Sequence, residues 1–451
     1  MSYCLGWRID WTGRKIIEPG MLYLKASQKN ADVYLEGIFQ KKTDMFFGSI
    51  LMENLMPKPY QVEIRKQGYH AWKKILGVNK RQVTEAKNVV LIPENPTLTE
   101  ISKNIENMLL TPDNKKIITK EAVDFEDPKT KKTVKKWALK SIDVKTNLKN
   151  HLFSQDDLDP KADLAGIEFS QNSENAIIKT KIGETFRYFI FDFETQKGIP
   201  LKFEKYPEKI LFNPFDGKGL LLLTLPEKII KDKKTFLDIR EMNIETGKIS
   251  EPLINNIVSA DISNNNVYIL DSAGFVFKTA PSLANMEKIN IIPVKIKDDA
   301  DYKLTVLREA VLLEENEALN ILDEKIMSFK KISDSVQGFK LSPDSKQLLY
   351  YGNNNISILF LENKIDQPHK EAGENVLLNN FPENIKNAFW FTNFYVVLNN
   401  KNKVKIMETD DRSELNMVDI FEKENPEIIW ADNNLYILSG QTLSVSTNLL
   451  P

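Results

Sequence analysis

At 451 residues the chain exceeds the ~250 to 300 residues that one hydrophobic core usually serves, so several domains, or a repeat array with a satellite, are expected. Its 61 Lys and Arg against 63 Asp and Glu give a formal charge of -2, which excludes a global electrostatic attraction for nucleic acid. Cys4 stands alone and excludes a disulfide within the chain, and the longest purely apolar stretch, Phe394 to Leu398, is far short of the ~18 residues of a membrane span.

In chain order, residues 1–20 come first. They lack the basic start and apolar middle of a signal peptide. Gly6 to Asp10 and Lys15 to Ile17 read as a short hairpin leading into Met21. From Met21 to Pro93 apolar residues recur with period two, at Leu22 and Leu24, at Val33 and Leu35, and at Tyr60, Val62 and Ile64. That alternation predicts strands with one buried face. Glu36 and Gly37 lie between two such runs and predict a tight hairpin turn, Gly supplying positive φ. Glu94, Asn95, Pro96 and Thr97 read as a linker, so a boundary is placed near residue 95.

Ala31 to Gly37, Asn54 to Pro57, Tyr60 to Ile64, Lys66, Gly68, Tyr69, His70 and Trp72 together resemble a PEGA domain over residues 21–93. The resemblance implies a small β-sandwich-like module of the bacterial or archaeal envelope. Two positions depart from the family pattern: its name-giving turn is Gln28 to Ala31 here, and Lys58 stands where Gly is usual after Pro57. The module typically follows an amino-terminal membrane helix, so an anchor upstream of Met1 is expected.

From residue 96 onward one phrase recurs: an apolar run, a turn, and further apolar runs. Its turns are Thr111 to Lys115, Asn213 to Gly217 and Ser342 to Lys346, each with Pro in second place and Asp near the middle. Repeat starts fall near Glu106, Ala162, Glu208, Ile257, Tyr302, Val336, Ile385 and Pro426. Their mean spacing, roughly 46 residues, suits propeller blades. This half resembles WD40-like or TolB-like bacterial β-propellers. Eight blades are counted; the short repeat at Tyr302, which lacks the Pro and Asp turn, leaves seven open. The last repeat supplies only three strands, and Thr97 to Ser102 is predicted to complete it as a fourth. Closing a ring from both chain ends removes exposed edges.

The fold class is therefore all-β: residues 1–20 a hairpin, 21–95 the module, 96–451 the propeller. No catalytic constellation appears. His70, His151 and His369 fall in different predicted units, so histidine zinc ligation is not expected. Asp156, Asp157, Asp159 and Asp163 are acidic but lack calcium-loop spacing, with Pro160 among them, and read as a solvated loop. Asp113, Asp216 and Asp344 recur at equivalent places and read as turn formers.

Lys129, Lys131, Lys132, Lys135, Lys136, Lys140, Lys145 and Lys149 form a basic run. It reads as a long hairpin of the first blade, the other reading being an anionic surface contact. Trp390 and Trp430 read as opening strands in neighbouring repeats and packing between blades.

No catalytic, cofactor or metal residue is assigned, and no binding residue is named. The expected function is non-catalytic binding or scaffolding, extracytoplasmic and membrane-associated, with a protein, peptide or glycan partner of the envelope and no nucleic acid. The membrane would be reached only through the missing anchor. The alternatives are a hydrolase or lyase acting on envelope polysaccharide or peptide, and a purely structural envelope component.

Overall fold

The computed structural model describes residues 8–10, 15–126, 133–227, 234–280 and 282–450, which form two compact units, residues 1–103 with 337–451 and residues 104–336. Arg8–Asp10 pairs antiparallel with Lys15–Ile17, as the short hairpin required; Gly6 and Trp7 lie outside the described residues.

In the first unit, residues 20–89 build two sheets. One holds Ser49–Leu55, Gly20–Ala26 and Val83–Val89, the last two parallel; the other holds Ile38–Lys42, Asp32–Leu35, Pro59–Arg65 and Trp72–Gly77. Their facing sides share one core, with Leu22, Leu24, Ile50 and Met52 on the first sheet and Val33, Val62, Ile64, Trp72 and Leu76 on the second. The predicted alternation at 22/24, 33/35 and 60/62/64 is the inward set. Glu36 and Gly37 make the hairpin turn with φ of 51° and 76°. Both central residues are thus in the left-handed region that a two-residue turn between right-twisted strands needs.

The same unit holds three repeats of four-stranded antiparallel sheet. Blade six is Gly338–Leu341, Gln347–Tyr351, Asn355–Phe360 and Asn375–Asn380; blade seven is Ile385–Thr392, Tyr395–Asn400, Lys403–Glu408 and Met417–Glu422. Blade eight has Glu427–Ala431, Asn434–Ser439 and Thr442–Ser446, and its fourth strand is Thr99–Ser102, paired Thr99 to Val445 and Glu100 to Ser444. The strand predicted from residues 97–102 is therefore present.

The second unit carries the other repeats. Blade one is Ile105–Leu110, Lys116–Glu126, Thr133–Asp143 and Lys149–Ser154; blade two is Asp163–Phe169, Asn175–Ile182, Thr185–Asp192 and Lys197–Leu201. Blade three, Lys209–Phe212, Gly219–Thr224 and Leu237–Asn243, runs into blade four through one long strand. Ile254–Ser263 pairs first with Leu237 and Ile239, then with Asn266–Asp271, so it ends one repeat and begins the next. Val276–Thr279 and Met286–Lys288 finish blade four, and blade five is Tyr302–Leu307, Ala310–Glu315, Ala318–Asp323 and Ser328–Ser333. Eight repeats are thus present among the described residues, the one at Tyr302 complete with four strands.

Cores form between consecutive sheets. Ile118, Leu139, Phe153, Ile178 and Phe191 join blades one and two, while Leu349, Ile358, Ala388, Trp390 and Leu398 join six and seven. The middle strands are buried on both faces, as in Gln347–Tyr351, which is why they read as unbroken apolar runs.

Turn chemistry is as expected. Asp113 Oδ1 accepts the Thr111 hydroxyl at 2.7 Å and the Lys115 amide at 3.1 Å; Asp344 Oδ1 does the same for Ser342 and Lys346; Asp216 Oδ1 accepts the Lys218 amide at 2.9 Å. Strands 116–126 and 133–143 pair along their full lengths, giving the long hairpin of blade one; Lys129, Lys131 and Lys132 lie outside the described residues.

One expectation needs correction. Trp390 and Trp430 do not open their strands but lie sixth in Ile385–Thr392 and fourth in Glu427–Ala431, because Ile385, Asn387 and Ala388 are already paired with the neighbouring strand before the aromatic run begins. Their packing role holds: Trp430 packs against Phe391 with the rings tilted by 44° and 4.5 Å between centroids, and Trp390 Nε1 donates to the Lys340 carbonyl of blade six.

Candidate functional site

Within the second unit, first strands of successive blades bring unlike charges together. Asp163–Phe169 carries Glu168, Lys209–Phe212 carries Lys209, and Ile254–Ser263 carries Asp261. Lys209 Nζ lies 3.8 Å from Asp261 Oδ1 and donates to the Ala260 carbonyl at 2.8 Å. Asp261 Oδ2 in turn accepts the Val306 amide of blade five at 2.8 Å. Asp261 thus holds two blades together besides carrying charge.

Burial pushes the Asp261 carboxyl up, against Lys209 and the Val306 amide, and pushes the Lys209 ammonium down, against Asp261 and Glu168. Burial also raises Glu168, opposed by Lys209 and Lys179. Glu168 nevertheless keeps contact with water. Titratable groups perturbed by burial and by one another, gathered on the first strands of successive blades, mark a candidate site.

Lys179 extends this cluster toward an aromatic corner. Its ammonium lies 4.2 Å from the Phe186 ring centroid and 5.4 Å from that of Tyr188. Phe186 meets Tyr206 edge-on at 6.0 Å, Tyr188 meets Phe203 at 5.3 Å, and Tyr206 remains exposed. The arrangement offers both signs of charge beside an exposed phenol and a lysine-capped aromatic face.

None of these residues was singled out from sequence. Each is one charge or one aromatic inside an otherwise ordinary strand or connection. Only charges inside otherwise apolar first strands would have signalled them.

Among the residues that were singled out, the acidic run closes on protein partners. Gln155–Leu158 is one helical turn capped by Ser154, whose amide and hydroxyl bond Asp157 Oδ2. Asp156 takes Lys136 and Asp159 takes Arg187. His151 lies in Lys149–Ser154, while His70 and His369 lie in connections between strands. Among the described residues no group of three His, Cys, Asp or Glu side chains is placed to hold a metal, and no helix is long and apolar enough to cross a membrane.

A second group of perturbed charges lies in the first unit, where the small module meets blade seven. Lys364 donates to the Pro368 carbonyl at 3.0 Å beside Asp410 and Arg412, and burial, offset by Asp410, brings its ammonium down to about 8. A lysine side-chain NMR titration is expected to show one ε-methylene signal, lost in Lys364→Met, that moves near pH 8 while the surface lysines stay charged. The sign follows from burial: above pH 8 the folded chain releases a proton that the unfolded chain holds to about 10.4, so this group makes stability rise between those values.

No family model and no curated protein matches the chain. Solved structures do. It is similar to the computationally designed Ika8 protein, at 11% identity over 77% of this chain and 99% of that one, TM-score 0.47. It is similar also to the Cps50 (Swd1) β-propeller domain of Myceliophteria thermophila, at 13% identity over 79% and 99%, TM-score 0.41. A prolyl endopeptidase matches at 13% identity over 76% of this chain and 55% of its own, TM-score 0.43. The fold is all-β with β-propeller repeats, and the repeated four-stranded sheets carry that assignment. The PEGA resemblance is matched by no family model and rests on the residues quoted for it.

Proposed function

We propose that the chain is a non-catalytic interaction protein whose repeats, residues 96–451, present a recognition surface, with residues 21–95 as a second, envelope-type module. The observation that carries this reading is the charge cluster of Glu168, Lys209 and Asp261 continued by Lys179 into the Phe186 and Tyr206 corner. Its charges are largely compensated by one another and by backbone groups, which suits selection of a complementary partner better than bond-breaking. Exposed tyrosine and paired charge fit a protein or peptide segment that brings an apolar side chain and a charge of its own. The resemblance of residues 21–93 supports a partner in the cell envelope.

Affinity capture from extracts of the producing cells tests the surface. Glu168→Lys with Tyr206→Ser changes two exposed positions and should leave folding intact. We expect the recovered partner to fall about tenfold or more, as at a contact hot spot. Undiminished recovery by the doubly substituted chain would remove this face from the proposal.

The second reading is a hydrolase or lyase, favoured by Glu168 alone, whose raised carboxyl is the property of a general acid. Polysaccharide or peptide turnover by the wild-type chain that is lost in Glu168→Gln would establish it.

A further inference from the structure

The connection between Ile38–Lys42 and Ser49–Leu55 exposes three large apolar side chains in a row. Met45, Phe46 and Phe47 are 72%, 79% and 72% exposed. Nothing in the fold of the first unit uses them. Their loop is nevertheless tightly built. The Asp44 carboxylate accepts the amides of Phe46 at 2.8 Å, Phe47 at 2.6 Å and Ser49 at 2.7 Å, and the Ser49 hydroxyl at 2.6 Å.

The Thr43 amide bonds the Ala31 carbonyl, the Asp44 amide bonds the Ser49 carbonyl, and the Ala26 amide bonds the Gly48 carbonyl. Gly48 has φ of +68°, and a Cβ there would come within 2.3 Å of the Ala26 carbonyl oxygen, so the chain must turn on glycine. The Phe47 amide first, then the Ser49 hydroxyl, hold the Asp44 carboxyl far below the usual carboxylate range. The clamp is therefore ionised at physiological pH.

A rigid loop that holds Met-Phe-Phe out in water invites a partner. Two features decide which. Each of three consecutive residues is more than 70% exposed, so no side of the loop shelters any of them, and hydrocarbon, which surrounds a tip from every side, covers all three. The tip amides of Phe46 and Phe47 are already satisfied by Asp44, which lowers the cost of taking this backbone out of water.

Around the base, Lys25 pairs in register with Ser49, Lys41 and Lys42 end the preceding strand, and Lys29 lies beside Ala31, whose amide bonds Thr43. Of the nearby acids, Asp32 takes Lys42 at 3.4 Å and Asp44 is enclosed by the loop's own amides and the Ser49 hydroxyl, against four lysines at positions 25, 29, 41 and 42. The base is net positive, matching an anionic headgroup layer.

We infer that residues 44–48 form a membrane-contacting loop, with Met45, Phe46 and Phe47 entering the interface of an anionic bilayer and Lys25, Lys29 and Lys41 meeting its headgroups. The contact is peripheral and reversible, and it uses none of the residues of the recognition cluster.

The test is co-sedimentation of the full chain with phosphatidylcholine vesicles, with and without phosphatidylglycerol. The wild-type chain should pellet with the anionic vesicles. Phe46→Ser with Phe47→Ser should weaken that binding by about tenfold or more, and Lys25→Glu with Lys41→Glu should abolish the preference for phosphatidylglycerol.

Phe46→Trp gives a readout independent of affinity: its emission should shift to the blue on adding anionic vesicles. Failure of the folded wild-type chain to pellet would overturn the inference, as would equal binding by the serine variant. Lipid-free self-association that disappears in the serine variant would also overturn it, by assigning the loop to a second copy of the chain.

Discussion

Replacing Lys74 by Met is expected to remove about 3 to 5 kcal/mol from the stability of the first unit, the cost of leaving one charge of a buried pair without its partner. Lys74 and Glu408 side chains are 0% and 3% exposed, and they meet in an ion pair between strand Trp72–Gly77 of the module and strand Lys403–Glu408 of blade seven. Lys74 also donates to the Asp410 and Glu414 carbonyls at 2.7 and 3.0 Å. Glu408 accepts from Trp72 Nε1 at 2.8 Å and from the amide and side chain of Asn416 at 2.8 and 2.7 Å.

The rescue is as informative as the loss. Glu408→Gln in the Lys74→Met background removes the orphaned charge and keeps an acceptor for Trp72, so the double variant should be more stable than Lys74→Met alone. Urea unfolding, followed by hydrogen exchange over residues 72–77, measures both. A Lys74→Met chain within ~1 kcal/mol of wild type would show that the pair does not hold the module.

The pH dependence has a definite sign. Burial holds the Glu408 carboxyl above its ordinary value, and Lys74 is the leading group that opposes this. Without Lys74 the folded chain binds a proton that the unfolded chain has released, over the window from the ordinary carboxylate value up to the raised one. A group of this kind contributes stability fully below its unfolded pKa and loses it as pH rises through the folded one. The Lys74→Met defect should therefore shrink as the solution is acidified through that window, and the double variant should lack the effect.

This junction also shows where sequence reading stops. In Trp72–Gly77 the burial pattern inverts hydropathy at the centre: Lys74 is buried and Ile75 exposed, because the partner of Lys74 lies in blade seven, far along the chain. Alternation locates such a strand but cannot say which polar residue goes inward.

The edges of the same module are closed by side chains equally remote in sequence. Gln367 bonds Val83 and Glu85, Asn416 bonds Lys73, Ser413 bonds the Ile75 amide, and Arg412 bonds the Glu85 carbonyl. Covering open edges in this way suppresses unwanted strand pairing. The repeats were legible for the opposite reason. Thr111 to Lys115 and Ser342 to Lys346 are local devices whose hydroxyl, carboxylate and amide all lie within five residues. Glu168, Lys209 and Asp261 share no such local frame, so the cluster they form left no mark in any one stretch of chain.

The fourth strand of blade eight provides the other large effect. Thr99–Ser102 covers Thr442–Ser446, and just before it Leu98 packs in the core that also holds Leu435, Ile437 and Leu449. Replacing residues 99–102 by alternating Gly and Ser keeps the chain length but removes strand propensity and the buried Ser102. With a few ladder hydrogen bonds at ~1 kcal/mol each, plus the looser packing of Leu98, the cost is about 3 to 5 kcal/mol.

Stability is only part of the expected change. Thr442–Ser446 becomes an open edge carrying Leu443 and Val445, so the variant should self-associate at concentrations where the wild-type chain is monodisperse. Thermal unfolding and sedimentation velocity read the two effects separately. Thr99→Ala with Glu100→Ala, which leaves the backbone ladder intact, should stay within ~1 kcal/mol of wild type, because the strand acts through its main chain.

A peptide of residues 97–104 added to the Gly-Ser variant should restore the melting temperature by strand addition. An unchanged melting temperature in the Gly-Ser variant would mean that blade eight is stable with three strands. Thr99–Ser102 would then be an ornament on its edge, not the strand that completes it.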